Sequence, residues 1–102
     1  MIDKNFSPYY AVIFITTLND DVEEYYAMSK KMVELSKTMP GFLGIDSART
    51  DIGITVCYWT DEESIKNWYS NSFHKEAQEK GKEQWFKSLK IRIAKVEREY
   101  GF

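Results

Sequence analysis

Few side chains in this sequence could do chemistry: its 102 residues hold one histidine, one cysteine and three tryptophans. His74 is the only side chain whose ordinary pKa lies near neutrality, which makes it the candidate general base. The plainer reading of His74 is a packing or surface histidine in a Lys-rich segment. Trp68 and Trp59 could present flat apolar faces to an aromatic ligand, although large aromatics are more often simply core. Tyr58, Tyr25 and Tyr26 could hydrogen-bond a ligand oxygen, or equally backbone and water. Cys57 sits mid-strand with no cation near it in sequence, so it is expected to be buried and unreactive. One Cys and one His exclude a Cys/His zinc site within one chain, and no metal is expected. Arg49 and Arg92, both on strands, could bind a ligand anion or form cross-strand ion pairs.

The elements that must position these groups follow from periodicity. Ile54 to Trp59 is too rich in β-branched and aromatic residues for a strand with one wet face. Thr60-Asp61-Glu62-Glu63 then reads as a capping box centred on Thr60, opening a helix that carries Ile65, Trp68 and Tyr69 on one stripe. Tyr9 to Leu18 is a second strand, apolar at odd and even positions alike. Asn19-Asp20-Asp21 offers an N-cap with Glu23 and Glu24 in the first turn, and an apolar stripe from Val22 runs to Met39. Met28, Met32 and Met39 on that stripe are core filler. Pro40-Gly41 stops this helix. Phe42 to Thr50 is a strand that forms a hairpin with Ile54–Trp59 across Asp51-Ile52-Gly53. Ser70-Asn71-Ser72 breaks the second helix, and a further helical piece ends near Gly81. Trp85 to Tyr100 is the last strand. Its apolar pattern shifts at Ala94, which predicts a β-bulge there.

Length and composition fit one globular domain spanning 1–102, with a net charge of −2 and 16% aromatic residues. Acid and base are interspersed, so no nucleic-acid or anionic-membrane partner is expected. No run is apolar enough to span a membrane. Met1 to Asn5 lack a signal-peptide layout, so the expected location is cytoplasmic.

The order strand, helix, strand, strand, helix, strand is that of the split βαβ, or ferredoxin-like, α+β fold: a four-stranded antiparallel sheet with its helices on one face. Two helices cover only one face, yet Tyr9–Ile15 and Ile54–Trp59 are apolar on both. A homodimer pairing the uncovered faces is therefore expected, at roughly 800 Å² per partner.

Five stretches resemble the antibiotic biosynthesis monooxygenase superfamily: Pro8 to Phe14, Met39 to Gly44, Gly53 to Trp59, Ile65 to Trp68 and Glu97 to Phe102. The resemblance implies a dimeric α+β barrel with a pocket between the sheet and the helices of each subunit. It further implies a cofactor-independent monooxygenase that uses molecular oxygen on a small aromatic or quinol. Under it His74 is the catalytic base and Trp68 holds the substrate, with Trp59, Tyr58, Phe14, Tyr25 and Gln78 binding it. The haem-degrading branch of the superfamily places an Asn on the first strand, a Trp on the second helix and an iron-ligating His further along. Trp68 matches the Trp, whereas Phe14 and Gln78 stand at the other two positions, so haem is disfavoured and no cofactor is expected. A non-catalytic dimeric module binding a small apolar ligand is the remaining reading.

Overall fold

The computed structural model describes residues 6–20 and 23–102, with the side chains of 72 and 73 left aside. Its elements are β1 (Tyr9–Leu18), α1 (Tyr25–Ser36), β2 (Phe42–Arg49), β3 (Gly53–Trp59), α2 (Glu62–Ser70), α3 (Ser72–Lys80), a π-helical turn (Gly81–Trp85) and β4 (Phe86–Val96). The strands form one antiparallel sheet in the order β2-β3-β1-β4, the ferredoxin-like arrangement.

Directly paired residues in an antiparallel sheet share a face. Val12, Cys57 and Trp59 meet Ile65 and Trp68 in the core, with Tyr10, Phe14, Phe42 and Ile45 beside them. Ile13 and Ile15 pair with Val56 and Ile54 on the opposite face. There Ile54 is 47% exposed, so the expectation of a sheet apolar on both faces holds.

Several local expectations are corrected. α2 is capped by Asp61, not Thr60: Asp61 Oδ1 accepts the Ser64 N–H at 2.7 Å. A carboxylate is the stronger acceptor at an N-terminus, and the Thr60 hydroxyl donates to Asp61 Oδ2 instead. The Ser64 hydrogen bond holds the Asp61 carboxyl below its usual range. α1 starts at Tyr25 with Glu24 at its cap and no acid in its first turn. Asn19 does not cap it, because its backbone N–H and side-chain amide donate to the carbonyls of Trp85 (2.8 Å) and Gln84 (3.0 Å). Asp21 and Val22 lie outside the described residues. The helix unwinds before Met39, as the N–H groups of Thr38 and Met39 turn to carbonyls three residues back.

The bulge in β4 is at its start, not at Ala94. Ser88 opposes Thr17 and Phe86 opposes Leu18, leaving Lys87 extra, and one register then runs to Val96. The change of pattern at Ala94 marks a change of apolar face. Leu89, Ile91 and Ile93 oppose the helix-facing Thr16, Phe14 and Val12, while Ala94 and Val96 oppose Ala11 and Tyr9 on the other side.

The break between the helices stands where the sequence places it. Asn71 leaves helical geometry at ψ 127° and accepts the His74 N–H on Oδ1 at 3.2 Å, starting α3 in a new direction.

Candidate functional site

Between the sheet and the helices lies a cavity of about 300 Å³. Phe14, Thr16, Thr55, Leu89 and Ile91 form its floor, and Tyr25, Met28, Ser29 and Met32 of α1 one wall. Tyr69, Ala77 and Gln78 close it from α2 and α3, and Lys82, Trp85 and Phe86 from the π turn and the start of β4. Such a lining, apolar with a few convergent polar groups, suits a small flat ligand.

Two local devices shape it. The kink at Asn71 lets Tyr69 on α2 and Gln78 on α3 face the same space. The π turn, a form that recurs at functional sites, buries Trp85 to 4% exposure. Gly81 opens that turn with the Phe86 ring laid against it, where a Cβ would sit 2.6 Å from Cε2. Tyr25 meets both rings edge-on, 5.8 Å from Trp85 and 5.6 Å from Phe86.

Tyr69 is the informative residue of the lining. Its hydroxyl is buried and has no hydrogen-bond partner. Burial, aided by nearby Cys57, pushes its pKa up to about 12, so it stays a donor at any working pH. A buried hydroxyl without a partner costs about 1–3 kcal/mol. A ligand oxygen would supply the missing acceptor.

Of the residues expected to serve a site, Phe14, Tyr25 and Gln78 line the cavity, whereas Trp59, Trp68, His74 and Tyr58 do not. Trp59 is 0% exposed in the core, edge-on to Phe42 at 5.4 Å. Trp68 and His74 stack behind Tyr69, with ring centroids 4.3 Å apart. Burial lowers the His74 pKa, opposed in part by its hydrogen bond to the Trp68 carbonyl, and so favours the neutral ring. Tyr58 lies on the other sheet face and donates to Asp46 Oδ2 at 2.8 Å. That hydrogen bond, more than burial, raises its pKa.

Tyr69 and Trp85 also line the cavity, where periodicity alone places them on a helix stripe and at the start of a strand. A Tyr on a buried helix stripe was the usable signal, since its hydroxyl needs a partner. The π turn has no sequence signature that periodicity detects.

The residue pattern of the haem-degrading branch is not reproduced: where the resemblance expects an Asn and an iron-ligating His, the cavity is lined by Phe14 and Gln78.

Residues 8–80 match the family described as antibiotic biosynthesis monooxygenase. The uncharacterized protein YqjZ of Bacillus subtilis (strain 168) is 40% identical over 94 residues, covering 90% of this chain and 82% of that protein. A putative antibiotic biosynthesis monooxygenase from Nitrosomonas europaea superposes with a TM-score of 0.78 at 12% identity, over 90% of this chain and 94% of that one. SnoaB, a cofactor-independent oxygenase from Streptomyces nogalater, gives 0.72 at 9% identity, over 93% and 97% of the two chains. The family profile spans most of the chain and the fold agrees with it, so the chain is a member of the antibiotic biosynthesis monooxygenase family.

Proposed function

We propose that the protein is a cofactor-independent monooxygenase acting on a small, flat, electron-rich arenol or quinol bound in the cavity. Tyr69, a residue of this apolar, aromatic lining whose buried hydroxyl has no partner, is the observation that carries this reading. Its O–H donates to the substrate's oxygen and stabilises it as an arenolate, assisted by Lys82, the one charged residue of the described lining. The arenolate gives one electron to molecular oxygen. Radical and superoxide then join at a ring carbon, and the hydroperoxide loses water to leave a quinone. One arenol and one O2 give one quinone and one water, so the balance needs no external reductant.

In this reading His74 and Trp68 are positioning residues, because their stack fixes the corner that carries Tyr69 and Gln78. The hydroxyl proton leaves to water at the cavity mouth. A homodimer through the Ile13, Ile15, Ile54 and Val56 face accompanies it, since that surface has no helix to cover it.

Oxygen uptake over a panel of naphthols and hydroquinones tests the reaction. Turnover with at least one arenol, reduced about tenfold in Tyr69→Phe, is expected. Uptake absent across the panel, or indifferent to Tyr69→Phe, overturns it. The second reading is a binding module without turnover. The predominantly apolar lining with His74 outside it favours this reading, and tight binding without oxygen uptake would identify it.

A further inference from the structure

We propose that the cavity continues into an anion subsite built on Arg49, and that its ligand is an aromatic bearing a carboxylate; this rests on the reading of the cavity as an aromatic-binding site.

The subsite begins with one row of the sheet. Arg49 on β2 opposes Gly53 on β3, which opposes Thr16 on β1. Because Gly53 has no side chain, the Arg49 side chain lies across it: a Cβ there would sit 2.0 Å from Nη2. The guanidinium thereby donates to Thr16 Oγ1. It also lies 3.5 Å from the Tyr25 hydroxyl, with Cζ 5.6 Å from the centre of that ring. Thr16 and Tyr25 both line the apolar cavity, so the cation stands directly behind its wall.

Arg49 is half-buried and makes no ion pair with any described residue, in a chain with 16 acidic side chains. Leaving a cation partly desolvated with only neutral partners is costly. A planar guanidinium offers five N–H donors, and Thr16 and Tyr25 take at most two. Arg49 also lines a second chamber of about 260 Å³. Besides Arg49 this chamber presents five hydroxyls, those of Tyr25, Tyr26, Ser29, Ser47 and Thr55, and no carboxylate among its described lining residues. Tyr25, Ser29 and Thr55 also line the apolar cavity, so the two chambers adjoin along those residues. Asp51 lines a separate outer cleft with Arg49 and Lys87.

One guanidinium fork surrounded by hydroxyl donors matches a monovalent carboxylate in charge and shape. The ring system occupies the apolar chamber and its acidic substituent the hydroxyl-lined one.

Calorimetric titration with 2-naphthol and 6-hydroxy-2-naphthoate separates the possibilities. Wild-type protein is expected to bind the naphthoate about tenfold more tightly, an advantage that shrinks as salt rises. Arg49→Gln should erase it and leave 2-naphthol affinity within about twofold, and Arg49→Lys should keep part of it. Equal affinities in the wild type overturn the subsite without recourse to any variant, as does an advantage that survives Arg49→Gln. If neither probe binds, the cavity reading falls and takes the subsite with it. If 2-naphthol binds and Tyr69→Phe weakens it while the carboxylate adds nothing, the cavity stands and only the Arg49 subsite falls.

Discussion

The imidazole of His74 lies flat on the indole of Trp68, with centroids 4.3 Å apart and planes 18° from parallel. Its Nδ1 is 3.1 Å from the Trp68 carbonyl oxygen, and since a carbonyl only accepts, Nδ1 carries the proton. The His74 side chain thus ties α3 to the last turn of α2.

Stability should respond to that histidine's titration. Burial puts the folded pKa below the ordinary 6.5, so between the two values the unfolded chain binds more protons than the folded one. The contribution is complete above about pH 6.5 and is lost as pH falls through the folded pKa. Urea unfolding from pH 7.5 to 5.5 should show this decline, and His74→Phe, which keeps a stacked ring, should flatten it. His74 is the only histidine, so an unchanged slope in the variant would refute the assignment.

Tyr69→Phe separates stability from binding. Deleting a buried hydroxyl that has no partner should stabilise the free protein by about 1 kcal/mol, a rise in Tm of roughly 4–8 °C for a domain of this size. The same change should weaken arenol binding about five- to tenfold. A variant less stable than wild type would mean that the hydroxyl is already paired.

Gly41→Ala should destabilise the fold by about 2 kcal/mol or more. Gly41 has φ +86°, and an added Cβ would come within 2.1 Å of Ser64 Oγ and 2.7 Å of Thr60 Oγ1. Combining it with Ser64→Ala should recover only part of the loss, because the backbone cost remains. Full recovery in equilibrium unfolding would show that the clash alone mattered.

Cys57 should react with a thiol reagent only on unfolding. It is buried, and burial pushes the thiol up to about 11 from an ordinary 9.0. The folded state therefore holds its proton longer than the unfolded chain, so stability declines as pH rises above 9 toward 11. Stopped-flow labelling at neutral pH that outruns unfolding would contradict the buried thiol.

The sequence by itself determined the strand and helix order, and with it the sheet, because apolar spacing near 2 or 3.6 residues is a local property. Pro40-Gly41 and Asn71 mark their breaks for the same reason: each acts on the backbone at its own position. Residue type alone also made Gln78 a poor substitute for an iron-ligating His, and Phe14 for the Asn of the haem-degrading branch. Caps were less legible, since Thr60 and Asp61 are both good N-cap residues and only the finished turn chose between them.

Tertiary structure alone decided what surrounds each side chain. Periodicity puts Trp68 and Tyr69 on one stripe, but packing stacks the first on His74 and sets the second in the cavity wall with its hydroxyl buried and unpartnered. The pattern change at Ala94 looked like a slip because a strand read alone cannot show which face its neighbours cover. Arg49, Gly53 and Thr16 belong to three strands, and their meeting depends on register across the sheet, which is fixed by the sum of many pairings rather than by any one segment.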